Sequence, residues 1–433
     1  AAYAVDGGPF GPENEGVALF LAALVALLAA LSVATISVVT TVIALRAPGM
    51  SLRRTPLFSW SMLIAGPVWL LTLAVLAGVQ LLVYVDFTYG QQFLGGSAGI
   101  YERIRWVFWQ PTLYAFAIPA LGIIADVVPT FAQVRHKQHR TAMVLIGLFG
   151  ALSFGAWAQA GATVGDAPIG DMPWLYDGTW IAASVIVLVP LLGLFGLWTG
   201  TLASGRPRLA SPLILAQVAG LLLLVGVAAG LGTMVEDFEL AFTTWSTGQA
   251  HLVVIGTIVA GLAGVVFWAP KIYGSLLPEG VGRLVAPLVL LGALALAVPY
   301  GIAGMLDQPA FATPAAVTVD DEAVEAIDPA ETVAQTAGLD DVDTIEGLNL
   351  VAAIGGVAVV AAGLLFALGV LRMGQSRGRA AVDDDPWDGH TLEWATSSPP
   401  PVGNFATLPE ITSEAPVYDA RHRAATATTE GAS

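Results

Sequence analysis

Nine apolar stretches, each about as long as a bilayer is thick, govern what this 433-residue chain can fold into. They run over residues 17–45, 58–85, 107–132, 142–163, 178–202, 211–234, 247–270, 283–306 and 348–372. A helix needs ~20 apolar residues to cross the hydrocarbon core. Only 12% of the chain is charged while 56% is hydrophobic, the composition of an integral membrane protein. Strands of a membrane barrel would alternate in units of ~10 residues, and these runs are too long and too uniformly apolar for that. Their many Gly and Pro residues suit bundled spans, where neighbouring helices re-satisfy freed backbone groups. The expected fold is an all-α polytopic membrane protein, a helical bundle of about nine transmembrane helices.

Basic residues sort the connections. Arg46, Arg53 and Arg54 follow the first stretch, Arg135, Lys137 and Arg140 the third, and Arg206 and Arg208 the fifth. Lys271 and Arg283 flank the turn after the seventh, and Arg372, Arg377 and Arg379 follow the ninth. With Arg421 and Arg423 this places 15 of the 17 basic residues on one side, leaving Arg103 and Arg105 on the other. By the positive-inside rule the N-terminus is expected outside the cell membrane and the C-terminal tail in the cytoplasm. The expected divisions are an outer N-terminal segment (1–16), an eight-helix membrane core (17–306), an acidic outer loop (307–346), a ninth membrane helix (347–373) and a cytoplasmic tail (374–433). The polar start has no basic n-region, so a cleavable signal peptide is not expected. The tail holds the run Pro399-Pro400-Pro401, read as extended.

A formal charge of −16 argues against nucleic acid as a partner. It suits a surface adapted to high salt, as in a halophile, or simply an acidic, GC-rich genome. The chain has no cysteine, which removes disulfides and thiolate metal sites. Of its 5 histidines only His251 lies inside an apolar stretch. Imidazole and thiolate are the usual ligands of redox metals, so one such histidine can give one axial bond to a haem but cannot build a copper or zinc site.

Several segments carry a resemblance. Arg46-Ala47-Pro48-Gly49-Met50 precedes Pro56-Leu57-Phe58-Ser59-Trp60, and Trp106 to Tyr114 reads WVFWQPTLY. Trp157-Ala158 stands ahead of Thr163-Val164-Gly165, and His251 opens a stretch that ends Trp268-Ala269-Pro270-Lys271-Ile272-Tyr273-Gly274. The tail adds Asp385-Pro386-Trp387, Thr391-Leu392-Glu393-Trp394, Ser398-Pro399-Pro400-Pro401 and Asn404-Phe405. In order and spacing these resemble subunit I of the haem–copper oxidases, the cytochrome c oxidase type. The resemblance implies that the nine stretches are similar to helices four to twelve of that subunit, without its first three.

The same resemblance allows each metal site to be followed. Gln110 stands where the family has a copper histidine, Thr112 where a neighbouring carboxylate ends a proton path, and Gln159 and Ala160 where it has its histidine pair. Gln249 falls at the histidine of the oxygen-binding haem and His251 at that of the low-spin haem. A shift in the gap here would move His251 to the oxygen-binding haem instead. Ala241 and Phe242 replace an outer metal-site pair, Leu194 the lysine of a second proton path, and Asp307 and Gln308 the arginines that clamp haem propionates. Tyr114 is retained. Amides are weak ligands for copper, Thr112 and Leu194 cannot relay protons as Glu and Lys do, and Asp307 would repel a propionate that arginine would pair with.

The expectation is therefore a degenerate subunit I-like membrane protein with no catalytic residue and no metal site, and a structural or assembly role in a respiratory terminal oxidase or related electron-transfer complex. Its partners would be other oxidase subunits, among them a chain supplying the remaining spans or a full catalytic subunit, and the lipid bilayer. The alternatives are part of a split oxidase with one haem ligated through His251, and a lone membrane protein with a transport or lipid role. Gln110 and Gln159 are expected to hydrogen-bond across the former copper cavity. Asp126 is read as an interfacial carboxylate, and Trp106, Trp109, Trp157, Trp245 and Trp268 as an aromatic belt.

Overall fold

A bilayer forces every backbone polar group to be satisfied within the segment that crosses it, so the apolar stretches fold as helices. The computed structural model describes residues 15–89, 98–153, 182, 185–234, 240, 243–310, 342–375, 382–405 and 407–430. Helices α1 (Glu15–Ala44), α2 (Leu57–Tyr89), α3 (Ala98–Ala132), α4 (His139–Ala151) and α5 (Leu188–Ser204) are followed by α6 (Ser211–Ala229), α7 (Thr244–Tyr273), α8 (Glu279–Met305) and α9 (Val342–Gln375). A tenth, α10 (Pro416–Glu430), lies in the tail. Among the described residues the only extended pairing is an isolated bridge between Thr243 and Pro309.

The fold is all-helical, as the apolar pattern requires. Seven of the helices, α1, α2, α3, α6, α7, α8 and α9, are long and apolar enough to cross a membrane among the described residues. The other two expected spans, 142–163 and 178–202, are described only in part, as the 13 residues of α4 and the 17 of α5. Most of the acidic loop expected at 307–346 lies outside the described residues.

Helix α3 is the centre of the bundle. In its apolar stretch 94% of the residues are buried, against 11% for α2, which joins α1 at the periphery. Helices α2, α4, α5, α6 and α7 all pack on α3, while α8 rests on α7 and α9 on α8. The main core is one large apolar cluster that includes Leu57, Ile118, Leu121, Trp198, Val259 and Phe267, and Leu28, Leu73 and Leu76 form a small second one between α1 and α2. Large apolar side chains such as Leu19, Leu291 and Val357 point outward, where lipid tails cover them at no cost.

Local signals set the ends of α7. Thr243 caps its start, the hydroxyl accepting from the backbone N–H of Trp245. Gly274 ends it at φ +64°, its N–H donating to the carbonyl of Pro270 at 2.9 Å, the left-handed stop that favours glycine.

The tail is not a free strand. Trp387 and Trp394 are buried in the same cluster as the membrane helices. Trp387 donates its indole N–H to the carbonyl of Phe267 at 3.0 Å, and Trp268 donates to Oε1 of Glu393 at 3.0 Å. The Lys271 ammonium donates to the carbonyls of Asp384 and Thr396. Arg135 pairs with Glu414 at 2.9 Å, Arg208 with Asp388 at 2.9 Å and Arg421 with Asp385 at 2.7 Å. The tail thus closes one end of the bundle.

Candidate functional site

The middle of the bundle holds one polar contact that sequence reasoning did not foresee. Tyr114 on α3 is 0% exposed and Gln249 on α7 is 2% exposed. Gln249 donates its side-chain N–H to the Tyr114 hydroxyl at 3.0 Å. The tyrosine ring lies 6.0 Å from that of Phe149 on α4, and Leu113, Ala117 and Ile118 are buried around it. The neighbouring Gly248 serves a different seam: a Cβ there would come within 2.7 Å of the carbonyl of Ala297 on α8.

Two residues further along α7 the helix has turned by about 200°, so His251 faces away from Gln249. Its ring stands 5.9 Å from that of Tyr300 on α8 and is half-buried. Nδ1 of His251 is 2.7 Å from the carbonyl of Thr247. A carbonyl only accepts, so Nδ1 carries the proton and the Nε2 lone pair is left for another partner.

The other sequence-singled residues fall as follows. Gln110 lies on α3, but its side chain is outside the described residues, as are Gln159, Ala160, Ala241 and Phe242. The expected Gln110–Gln159 pairing therefore also lies outside them. Leu194 is fully buried in the apolar core. Gln308 is held by its backbone, whose carbonyl accepts from Thr244 at 2.9 Å.

Asp126, read as an interfacial carboxylate, is tied into the bundle. It is 7% exposed, and its two oxygens accept from the backbone N–H groups of Leu57 at 2.9 Å and Phe58 at 3.0 Å. The first N–H groups of a helix have no partner in their own helix, and Asp126 supplies one across the bundle to α2. Trp245 and Trp268 also depart from a lipid-facing belt: Trp245 donates inward to the carbonyl of Ala229 at 2.9 Å, and Trp268 to the tail.

The profile of the family described as Cytochrome C and Quinol oxidase polypeptide I matches residues 3–358. The chain belongs to this family. It is similar to cytochrome c oxidase subunit 1 of Bacillus subtilis, with 29% identity over 395 residues, 89% of this chain and 58% of the relative. With the probable cytochrome c oxidase subunit 1 of Bradyrhizobium diazoefficiens the identity is 32% over 405 residues, 90% of this chain and 55% of that one. The putative subunit 1-beta of Streptomyces avermitilis is 28% identical over 397 residues, 90% of this chain and 65% of its own. The chain therefore spans 55 to 65% of the length of these relatives. Together with its apolar helices, membership of the oxidase polypeptide I family makes it a multi-pass membrane protein.

Whether these residues could hold the metals of a haem–copper oxidase is a question of donor chemistry. Among the described residues no group of three or more His, Cys, Asp or Glu side chains is placed to bind a metal ion. Gln249, which the resemblance sets at the histidine of the oxygen-binding haem, has its amide committed to Tyr114 within the apolar core. An amide tied to a phenol does not fit haem ligation, for which the resemblance calls for an imidazole on the iron. His251 is different: an imidazole with Nδ1–H turned to a carbonyl has the tautomer of a metal ligand.

Proposed function

We propose that this chain is a non-catalytic homologue of oxidase subunit I, a membrane scaffold that assembles with other subunits of a respiratory oxidase or related electron-transfer complex. The observation that carries this reading is the Gln249–Tyr114 hydrogen bond. It joins two helices with an amide and a phenol at a place where oxygen reduction would need metal-binding imidazole. Thr112, Leu194 and Asp307 point the same way, since none can do the proton or propionate work of the residue types that the resemblance puts there. The docked tail supports the assembly role, because it gives the basic end of the bundle an ordered surface. That end faces the cytoplasm in this reading and the N-terminus lies outside.

The test is metal and haem content of the detergent-solubilised complex purified through this subunit, together with oxygen uptake. Gln249→Leu combined with Tyr114→Phe is expected to leave copper content and oxygen uptake unchanged, because neither residue serves the chemistry. Copper bound to this chain in equal amount, and lost in that double variant, would overturn the reading. Purification without any oxidase subunit would favour a lone membrane protein instead.

A second reading rests on His251. With Nδ1–H given to Thr247, His251 would hold a haem iron through Nε2, and such a haem would supply one-electron transfer. A Soret band lost in His251→Ala supports it, and a Soret band unchanged in that variant removes it.

A further inference from the structure

Four of the five histidines are far apart in sequence from the fifth, His251, and three of them converge on one seam. A small cavity of about 30 Å³ opens where the tail meets the bundle, lined by Asp126, His136, His139, His390, Thr391 and Glu414 among others. His136 comes from the connection between α3 and α4, His139 is the first residue of α4, and His390 and Glu414 come from the tail. The three imidazoles are 7%, 8% and 5% exposed. Nε2 of His136 and Nε2 of His139 are buried without a hydrogen-bond partner among the described residues. A buried polar atom left unpaired costs free energy and calls for an explanation.

We propose that this seam is a proton-operated latch: the tail stays docked on the membrane helices while His136, His139 and His390 are neutral, and is released when they take up protons.

Burial is the main cause that keeps each ring neutral; neighbouring cations add to it, while Glu414 and Asp419 oppose it. His136 faces His139 and Glu414, and His139 faces Glu414, Arg135 and Arg140 while bonding to the backbone of Thr55. His390 faces Arg421, His422 and Asp419, and its ring is 4.6 Å from that of Tyr418, on which His422 stacks in turn. Glu414 and Asp419 are already engaged by Arg135, at 2.9 and 3.4 Å. Three new cations would thus enter a seam that holds Arg135, Arg140 and Arg421, where Glu414 and Asp419 are paired with Arg135 and Asp126 is held by two backbone N–H groups of α2.

Burial pushes His136 and His390 down to about 4 from the ordinary 6.5, and lowers His139 as well. A base depressed in the docked state binds its proton more readily once released. Docking is therefore complete above pH 6.5 and weakens as pH falls from 6.5 towards 4. Between pH 6.5 and 5 each such histidine shifts the equilibrium on the order of tenfold, and two of them on the order of a hundredfold.

The sequence contains no cysteine, so Leu209→Cys on the bundle and Val402→Cys in the tail, both exposed at 70% and 109%, give a clean pair of spin labels on the full chain in lipid nanodiscs. The expected result is one narrow distance distribution at pH 7.5 that broadens reversibly by pH 5, in a transition steeper than one proton. The triple variant His136→Gln, His139→Gln, His390→Gln should stay narrow at both pH values. His390→Gln alone, confined to the tail, should lower the midpoint and the steepness and serves if the triple variant does not fold. An unchanged distribution at pH 5, a broad one already at pH 7.5, or an acid transition unaltered in these variants would each overturn the latch.

Discussion

Gln249 and Tyr114 lie 135 residues apart in sequence and 3.0 Å apart in space, joined amide to hydroxyl across α7 and α3 in the most buried part of the bundle. Neither side chain has an apolar reason to be there. Their contact ties the central helix to the one that carries His251, and it makes this spot a structural joint.

A double-mutant cycle measures that joint. Gln249→Leu and Tyr114→Phe are each expected to destabilise by about 1–2 kcal/mol, the usual cost of disrupting a buried hydrogen bond. The double variant should cost less than the sum, leaving a coupling of about 1 kcal/mol. Thermal unfolding in detergent followed by circular dichroism reads all three. Strict additivity would show that the two groups do not support each other.

Asp126 offers a sharper contrast. Asp126→Ala leaves the N–H groups of Leu57 and Phe58 unpaired at the buried start of α2, at about 1–3 kcal/mol each. Asp126→Asn keeps one acceptor and should lose about half as much. If Asn and Ala variants unfold at the same temperature, the carboxyl group's double acceptance is not what anchors α2.

The helices were legible because hydrocarbon leaves the backbone no choice. The stretches read at 17–45, 247–270 and 283–306 correspond to Glu15–Ala44, Thr244–Tyr273 and Glu279–Met305, with ends shifted by a few residues where polar caps such as Thr243 extend the turn. The docked tail was not legible. Its bonds run from Trp268 to Glu393, from Lys271 to Thr396 and from Arg54 to Ile411, and pairs so distant leave no period in a sequence. The same holds for Asp126, which serves a helix start 69 residues upstream. The one available signal was in the tail itself: Trp387 and Trp394 in an otherwise polar segment are large apolar side chains that need burying. The Gln249–Tyr114 pair was half legible, since both positions stood out as relics of a metal site while their contact with each other did not.

The seam between α8 and α9 depends on absent side chains. A Cβ on Gly355 would come within 2.4 Å of the backbone nitrogen of Leu296, whereas one on Gly363, two turns further along α9, would meet nothing within 4 Å. Small residues let membrane helices approach closely. Gly355→Leu is therefore expected to lower stability by at least 2 kcal/mol, in the range of overpacked cores, and Gly363→Leu to change it by less than about 0.5 kcal/mol. Unfolding midpoints of the two variants in the same detergent decide it. Equal losses would mean that leucine harms α9 by a route other than contact with α8.

Lys271 is the last test, because it separates a charge that anchors from one that merely marks the basic end of the bundle. Its ammonium donates to the carbonyls of Asp384 and Thr396 and lies 5.2 Å from the centre of the Trp394 ring. Hydrogen bonds from a charged donor contribute about 1.5–3 kcal/mol each when buried. Lys271→Met keeps the apolar stem and removes only these bonds. It should leave α7 folded but speed amide exchange in residues 384–396 by roughly tenfold to a hundredfold, the rate equivalent of about 1.4–2.8 kcal/mol. Exchange mass spectrometry at pH 7.5, where the histidines of the seam are neutral, isolates this anchor from any effect of protonation. Unaltered protection in 384–396 would show that Trp387 and Trp394 hold the tail by burial alone.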